Sequence, residues 1–391
     1  MNGTRRLRRE AGRVARQIAG FPALAWDAAL GRRRYDRSRD GLIRRHAGAV
    51  APTGRAAIYL MFPRHGVLAS HRLALEHLAA QGYATTIVSN ASLDAGALDM
   101  LRPLARETIE RPNRGYDFGG YRDGMLELLD ELPALDRLLL VNDSSWFPLR
   151  AEEDWLARAE GLDVDLVGPT THRAMPRPPV SRWREFRFAH VPEGRNFHYS
   201  SFALLFGPAI LRDPDFGRFW RRYRLSDSKS RTVRRGEIGL TQWALRRGHS
   251  HAALPPPETV AADLMALGPL AMRHALDRSF LIDDRAMQDE RAALLETYDG
   301  SEAWRDGAGT FLLAASARRG TVYVLCEHLA RTGAPFLKKT PFVNRTGDRA
   351  ELPDDAAIDP PMRGAIEAEL ALARADQRPD GARSSSSTPR R

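Results

Sequence analysis

One short segment of the chain places a carboxylate between two small polar side chains. Asn142, Asp143 and Ser144 follow the apolar run Leu138–Val141 in the string LLLVNDSSWFPL. Carboxylate, amide and hydroxyl oxygens are ligands that Mg²⁺ or Mn²⁺ takes. The carboxylate could instead cap a following helix. Because binding groups concentrate at strand ends, we favour Asp143 as a metal ligand and a catalytic group.

A second segment, RPNRGYDFGGYRDG, combines glycines with polar side chains in one predicted strand-to-helix connection. Gly115 allows the backbone to approach a ligand, Arg114 can pair with a phosphate, and the next helix N-terminus favours an anion. Asn113 and Asp117 lie in the same connection. The string matches neither a Walker loop nor a GxGxxG motif. We predict ligand binding here, with a structured turn as the alternative.

Glu237 opens a predicted amphipathic helix that ends at Gly248. An acid in the first turn interacts favourably with the helix dipole, which is one sufficient reason for its presence. Alternatively, Glu237 points into a site and acts as a general base, provided that it reaches the proton and has a suitable pKa. We expect Ile238 and Leu245 to pack this helix on the sheet. The sequence alone leaves both roles open.

Alternating strand and helix patterns must position these residues. Short apolar runs predict strands at residues 56–62, 83–88, 108–109, 138–141 and 165–168. Helical patterns lie between the first four, one ending at Gly82 and one capped by Ser92. This alternation predicts an α/β fold with an open, mostly parallel sheet flanked by helices. Ligands bind such sheets at the carboxyl ends of the strands.

The net charge of +10 over 391 residues belongs to the two ends of the chain. Residues 1–45 contribute +9 and residues 374–391 contribute +3, so the body between them has a charge of −2. A nucleic-acid-binding protein needs a basic stripe on its folded body, so we expect no nucleic-acid partner. Residues 1–50 read as a basic helical arm, which either lies on an anionic membrane surface or packs on its own domain. The stretch from about residue 375 is predicted to be disordered.

Composition narrows the class of protein further. The chain is 43% hydrophobic and can bury a substantial core, but its apolar runs are far shorter than a membrane span. We expect a cytoplasmic protein, peripheral at the inner membrane face if the arm binds lipid. A single cysteine, Cys326, excludes an internal disulfide. The pair Lys338-Lys339 could reach a phosphate, although a solvated lysine pair is the commoner case. His198 is either a site residue or a core residue.

Five strings together resemble the rhamnan synthesis F family of bacterial polysaccharide-building proteins, over about residues 56–342. They are NRGYDFGGY, LLLVNDSSWFPL, HYSSFALLFGPAIL, GEIGLT and GAPFLKK. The same landmarks are similar to inverting family-two glycosyltransferases with the GT-A fold. Asn90 stands where that fold has an acid that contacts the nucleotide base. Asn142, Asp143 and Ser144 match its metal-binding Asp-x-Asp, and Glu237 matches the acid that opens a helix.

The resemblance implies a transferase that moves rhamnose from dTDP-rhamnose to a lipid-linked or polymeric cell-surface glycan, such as an O-antigen or cell-wall polysaccharide. It implies Glu237 as the single base of an inverting reaction, and Asp143 as the ligand of Mg²⁺ or Mn²⁺. The nucleotide-sugar would be held by Asn90, Asn113, Arg114, Gly115, Asp117, Asn142 and Ser144.

The implied organisation is a GT-A-like domain over residues 51–345, followed by an extension over 346–391. Within the domain, the nucleotide-binding half spans about 51–170 and the acceptor half about 171–345. Two departures from the family pattern matter: the Asn142–Ser144 segment has one carboxylate where two are expected, and Ile238 follows Glu237 where a second acid is expected. The alternative is therefore a catalytically degenerate GT-A domain that binds nucleotide or glycan.

Overall fold

The computed structural model describes residues 32–282, 284–343, 350–354 and 356–376. An eight-stranded sheet forms its centre, with two short two-stranded sheets beside it. The strands of the described residues are, in chain order, β1 (Arg44–Ala47), β2 (Arg55–Met61), β3 (Ala84–Ser89), β4 (Glu107–Glu110), β5 (Arg137–Asn142), β6 (Ser145–Trp146), β7 (Leu166–Gly168), β8 (Thr171–His172), β9 (His198–Tyr199), β10 (Ala203–Phe206), β11 (His251–Ala253) and β12 (Leu337–Lys338).

The large sheet has the strand order β1-β4-β3-β2-β5-β10-β7-β11. Strands β4, β3, β2 and β5 are parallel to one another, and β7 and β11 run in the same direction. Strands β1 and β10 run the opposite way, because β1 pairs antiparallel with β4 and β10 pairs antiparallel with both β5 and β7. The prediction of an open, mostly parallel sheet is confirmed.

Helices cover this sheet and extend the fold at its C-terminal end. Those of the first half are α1 (Arg32–Leu42), α2 (Ala69–Ala80), α3 (Ala95–Leu101), α4 (Tyr116–Leu128), α5 (Trp155–Gly161), α6 (Pro208–Arg212), α7 (Pro214–Arg222), α8 (Lys229–Arg235) and α9 (Glu237–Arg246). Those that follow are α10 (Pro257–Met265), α11 (Pro269–Asp277), α12 (Arg285–Glu296), α13 (Glu302–Arg319), α14 (Thr321–Val324), α15 (Cys326–Arg331), α16 (Thr340–Val343) and α17 (Pro360–Ala375).

Both faces of the sheet are buried, as continuous apolar strands require. On β2, Ala57, Tyr59 and Met61 join one core cluster. Their neighbours Ala56, Ile58 and Leu60 join a second cluster. The alternation follows from the two-residue period of a strand, so each strand contributes to two layers of core.

All five predicted strands are present as β2, β3, β4, β5 and β7, each within two residues of the predicted bounds. The predicted cap of the helix after β3 is wrong. Helix α3 begins at Ala95, and the Asp94 side chain accepts a hydrogen bond from the backbone N–H of Ala97. Asp94 has an extended backbone, and its carboxylate accepts from the N–H three residues later, which is the geometry of an N-cap. Ser92 lies two residues before Asp94 and does not occupy the cap position.

The predicted N-terminal arm, residues 1–50, includes a part that belongs to the folded body. Residues 1–31 lie outside the described residues, so the predicted helical arm stays a prediction there. Helix α1 and strand β1 join the body, since Arg44 and Ala47 of β1 lie opposite Glu110 and Glu107 of β4. The end of the predicted arm, residues 44–47, is thus a strand of the large sheet and not a helix.

The C-terminal extension also packs on the body. Met362, Ile366 and Leu370 of α17 share a buried cluster with Trp146 of β6. The predicted disordered tail falls almost wholly at residues 377–391, outside the described residues. Within the described part of the chain, no helix is both long enough and apolar enough to cross a membrane.

Candidate functional site

The candidate site lies at the carboxyl edge of the large sheet, where β5 ends in Asn142. The Asn142 side-chain oxygen accepts hydrogen bonds from the backbone N–H of Ser144, at 3.1 Å, and from the Ser144 hydroxyl. Its amide nitrogen lies 3.3 Å from Oδ2 of Asp117, near the start of α4. Asn142 therefore links two segments that the sequence singled out separately.

Asp143 is held by a backbone group directly after β2 and by a side chain of α2. Its Oδ2 accepts a hydrogen bond of 2.8 Å from the backbone N–H of Phe62, and His71 Nε2 lies 3.6 Å away. Burial raises the pKa of Asp143, but His71, the charge of Lys339 and the Phe62 N–H together outweigh it and hold the pKa below its usual value. Asp143 is thus a strand-end carboxylate whose surroundings favour the ionised form.

Lys338 of β12 lies among the predicted acids and was missed as a site residue. Its Nζ donates a hydrogen bond of 2.6 Å to Ser144 Oγ and lies 4.4 Å from the centre of the Phe202 ring. The side chain is buried, with 8% of the residue exposed, so the interpretation as a solvated lysine is wrong. Burial lowers the pKa of Lys338 to about 8 against the opposing charges of Asp117, Glu237 and Asp143.

The glycine-rich connection is a tight turn that no other residue fits at Gly115. Gly115 has φ +80°, and a Cβ there would lie 2.8 Å from Leu225 Cδ2. Its N–H donates a 2.9 Å hydrogen bond to Asp227 Oδ1, and Arg114 Nε lies 3.5 Å from Oδ2 of the same carboxylate. Asp117 follows on α4, where burial and then the charge of Asp143 raise its pKa against Lys338. Asn113 is exposed on this turn.

Asn90 is held by a buried arginine that the sequence did not single out. Arg111 Nη1 donates to Asn90 Oδ1, and Nη2 donates to the backbone oxygen of Arg114 at 2.6 Å. Arg111 also pairs with Asp123 at 2.6 Å, and neither of these side chains has any exposed surface. Asp123 further accepts from Tyr35 of α1 at 2.6 Å. Arg111 thereby connects the end of β3 to the glycine turn.

Glu237 begins α9 and faces β9 and the loop after it. Its Oε1 accepts a 3.1 Å hydrogen bond from Ser201 Oγ, and Oε2 lies 3.6 Å from Nε2 of His198. Burial, followed by the charge of Asp117, raises the pKa of Glu237 against the Ser201 hydrogen bond and Lys338. A raised pKa is what a carboxylate needs to accept a proton from a sugar hydroxyl near neutral pH.

The expected packing of α9 is only partly right. Its fully buried positions are Leu240, Thr241 and Ala244, while Ile238 and Leu245 are half-buried. Gly236 precedes the helix, and a Cβ there would lie 2.4 Å from the Phe118 ring. This close approach fixes the first turn of α9 against α4, and with it the position of Glu237.

The structure brings some predicted site residues together and leaves others apart. Asp117, Asp143 and Glu237 all act electrostatically on Lys338, while Asn142 contacts Asp117 and Ser144 contacts Lys338. Asn90, Arg114 and Gly115 form a second group around Arg111 and Asp227. The sequence signals for the missed residues are that Lys338 lies in the string GAPFLKK and that Arg111 opens the glycine-rich string.

The oxygen ligands at Asp143 meet the chemistry of Mg²⁺ or Mn²⁺ only in part. Asn142, Asp143 and Ser144 offer hard oxygens, but a single one of them is a carboxylate. In the described residues, no three or more His, Cys, Asp or Glu side chains are grouped to hold a metal ion. The Ser144 hydroxyl oxygen already accepts a hydrogen bond from the ammonium group of Lys338. These residues do not by themselves make a complete metal site, and the metal at Asp143 stays a prediction.

Comparison with known sequences places residues 85–291 in a defined family. This region matches the sequence profile described as rhamnan synthesis protein F. The uncharacterized protein y4gN of Sinorhizobium fredii is 31% identical over 257 residues, which is 66% of this chain and 63% of that protein. The chain thus spans a little under two thirds of the length of this relative.

Two solved structures resemble the chain weakly. The mannosyltransferase PcManGT of Pyrobaculum calidifontis, solved with GDP-Man and Mn²⁺, has 16% identity and a TM-score of 0.28, covering 92% of this chain and 97% of that one. The mannosyltransferase Ktr4p of S. cerevisiae has 10% identity and a TM-score of 0.23, covering 50% and 68%. We draw no conclusion from scores this low.

Proposed function

Since the chain belongs to the rhamnan synthesis protein F family, we propose that it is a glycosyltransferase that uses a nucleotide diphospho-sugar. The single observation that supports this most is the group of Asp117, Asp143, Glu237 and Lys338 at the carboxyl edge of a mostly parallel sheet. That edge is where open α/β sheets bind ligands. The group combines an ionised acid, a base with a raised pKa and a buried cation.

These residues suit an inverting displacement. Glu237 would take the proton of the attacking hydroxyl as the bond from acceptor oxygen to the anomeric carbon forms. The bond from that carbon to the diphosphate oxygen breaks, and its electron pair leaves with the diphosphate. Lys338 would lie beside the departing oxygens and stabilise their growing charge. A divalent ion held by Asp143 would supply the same kind of charge when bound.

The nucleotide would lie toward β3 and β4. Arg111 holds Asn90 Oδ1 and the Arg114 backbone, so the ends of these strands form one rigid surface. Asn113 and Arg114 reach solvent on the same turn. We propose that this surface binds the nucleoside, while Asn142 and Ser144 border the diphosphate. The family's description as a rhamnan synthesis protein favours rhamnose as the transferred sugar, and we propose dTDP-rhamnose as the donor.

The acceptor that we propose is a lipid-linked or polymeric glycan, and the family's description as a rhamnan synthesis protein supports a glycan acceptor. The charge of +9 on residues 1–45 supports a contact between this segment and an anionic membrane surface. The arginines of β1 and α1 that pair within the fold reduce the share of that charge available to lipid.

Thermal-shift screening of the full chain against dTDP-rhamnose and other nucleotide sugars, with and without Mn²⁺, tests the proposal. A ligand at 100 times its Kd adds ~2.7 kcal/mol to the free energy of unfolding. We expect one donor to raise the melting temperature and then to be consumed when an acceptor glycan is added. Failure of every nucleotide sugar to bind would contradict the proposal.

The second candidate, a degenerate domain that binds without turnover, rests on the single carboxylate of the Asn142–Ser144 segment. It predicts donor binding of the same strength, with no sugar released or transferred in any acceptor assay. Measuring binding and turnover on one preparation separates the two functions.

A further inference from the structure

Four arginines converge where β8 meets the C-terminal end of α13. Arg173 follows β8, Arg177 lies four residues further on, and Arg318 and Arg319 end α13. Arg318 Nη1 donates a 3.0 Å hydrogen bond to the backbone oxygen of Pro178, which joins the helix end to the segment of Arg177. Burial and the charges of the other three arginines lower the pKa of Arg177 to about 10.

Asp284 pairs with two of these cations. Asp284 Oδ2 lies 3.3 Å from Arg318 Nη2 and 3.2 Å from Arg319 Nε. The helix dipole adds a second reason for arginines at the end of α13. Neither explains Arg177, whose Nε is buried without a hydrogen-bond partner in the described residues. Like charges held together at a partly buried place cost free energy, which a bound anion would offset.

The arginines lie close to the proposed base. Gly320 follows Arg319, and a Cβ on Gly320 would lie 2.4 Å from Cε1 of His172. The His172 ring stacks on His198 with centroids 5.3 Å apart and an interplanar angle of 16°. His198 Nε2 lies 3.6 Å from Oε2 of Glu237. Two stacked imidazoles therefore separate the arginine cluster from Glu237.

The order of the strands places the cluster away from the proposed nucleotide surface. Along the sheet the order is β3, β2, β5, β10 and β7. Asn90 follows β3, Asp143 follows β5, and Arg173 lies five residues beyond the end of β7, directly after β8. Relative to Asp143, the arginines and Asn90 are thus on opposite sides. A donor with its nucleoside at Asn90 has its diphosphate near Asp143 and Lys338, which leaves the arginines to the acceptor.

We infer that Arg173, Arg177, Arg318 and Arg319 form an anion subsite for a phosphate or diphosphate group on the acceptor, beside the hydroxyl that Glu237 deprotonates. This inference rests on the proposed glycosyl transfer. Guanidinium groups match phosphate oxygens in pairs of parallel hydrogen bonds, so an arginine cluster suits a phosphate ester better than a neutral sugar. The subsite would fix the acceptor at its phosphate and present its sugar to Glu237.

Calorimetric titration of the full chain tests the subsite with two probes. Geranyl diphosphate is a diphosphate ester without a nucleoside, and dTDP is a nucleoside diphosphate; geraniol controls for the apolar tail. The variants are Arg177→Met and Arg173→Met. Arg285→Met is the matched control, because the Arg285 side chain is 87% exposed and pairs along its own helix with Asp289.

We expect Arg177→Met to weaken geranyl diphosphate binding at least about tenfold, since charged hydrogen bonds contribute roughly 1.5–3 kcal/mol. Affinity for dTDP should be unchanged in this variant, and Arg285→Met should leave both affinities unchanged. Wild-type affinity of Arg177→Met for geranyl diphosphate would overturn the subsite. An equal loss for dTDP would assign the arginines to the donor and overturn it as well.

Melting temperatures show whether each variant is folded, so that a loss of binding can be separated from a loss of stability. Because Arg177 is a partly buried cation with no carboxylate partner among the described residues, Arg177→Met should melt at or above the wild-type temperature. If it melts lower, the exposed Arg173 gives the deciding measurement through Arg173→Met. If dTDP and all other nucleotides fail to bind the wild type, glycosyl transfer fails, and the geranyl diphosphate titration still decides whether the arginines bind a diphosphate.

Discussion

The ammonium group of Lys338 donates a 2.6 Å hydrogen bond to the hydroxyl of Ser144, two residues after the end of β5. Strand β12 is brought there by its antiparallel pairing with β6, in which Lys338 lies opposite Ser145. Lys338 therefore contacts the loop that follows β5, although the two are far apart in the sequence. The cation reaches the acids from a lysine pair for which the solvated interpretation is the commoner one.

Replacing Lys338 by methionine is expected to lower kcat by roughly 10²-fold, the effect of removing one group that stabilises charge in a transition state. Methionine keeps much of the apolar stem over the Phe202 ring, so the fold should persist. Steady-state kinetics with saturating donor measure the loss. Lys338→Arg, which keeps the charge, should recover part of it. Wild-type kcat in Lys338→Met would remove the lysine from the mechanism.

The pKa of Lys338 also gives the reaction an upper pH limit. With a pKa of about 8, the ammonium group loses its proton above that pH, and kcat should fall there. The unfolded chain has the usual lysine pKa of 10.5, so between about 8 and 10.5 it binds more protons than the folded chain. The Lys338 contribution to the free energy of unfolding therefore rises with pH across this window. Denaturation of wild type and Lys338→Met at pH 7, 9 and 10.5 measures it.

The variant Glu237→Gln distinguishes two roles of Glu237, a general base and a charge that only stabilises the start of the helix. Glutamine keeps the hydrogen bond from Ser201 but cannot take a proton, so kcat should fall ~10²–10⁴-fold with donor affinity unchanged. Loss of the dipole interaction alone would cost ~0.3–1 kcal/mol of stability and spare kcat. Glu76→Gln, a change on the exposed face of α2, is the control. Because the pKa of Glu237 is raised, kcat of the wild type should increase with pH through that pKa.

Much of the sheet follows from the sequence because its parallel strands are buried on both faces and read as short apolar runs, as at Leu138–Val141. The edge strand β1 escaped prediction because Arg44, Arg45 and His46 have no apolar pattern, and its place depends on pairing with β4. The polar residues that directly follow these strands could be predicted as well, because the apolar runs mark where each strand ends. Lys338 could not, since only the tertiary pairing of β12 with β6 buries it.

Arg111→Met is expected to reduce the free energy of unfolding by roughly 3–5 kcal/mol, because Asp123 would remain fully buried with one of its cations removed. Arg39 still contacts Asp123 at 2.9 Å and limits the loss. Arg106→Met is the control, because the Arg106–Glu131 pair is partly exposed and should cost ~1 kcal/mol or less. Urea denaturation measures both. Equal effects would mean that burial does not set the strength of the Arg111 pair.

Deleting residues 1–31 should weaken sedimentation with anionic vesicles and leave turnover on a soluble acceptor unchanged. The segment has six arginines and two acids, and each basic residue near an anionic surface contributes ~1 kcal/mol before screening. The deletion stops before Tyr35 and Arg39, which hold Asp123. Unchanged sedimentation at low salt would show that this segment does not contribute to membrane binding.

Strand β1 has one more consequence, for solubility. Parallel sheets end in strands whose free N–H and C=O groups can recruit another chain, and long apolar edges lead to aggregation. Here β1 covers β4 with four residues that include Arg44, Arg45 and His46, and the opposite edge, β11, is three residues long. A short, positively charged edge on one side and a very short edge on the other give neighbouring molecules little to pair with. Loss of β1 would expose β4 and should make the protein prone to self-association.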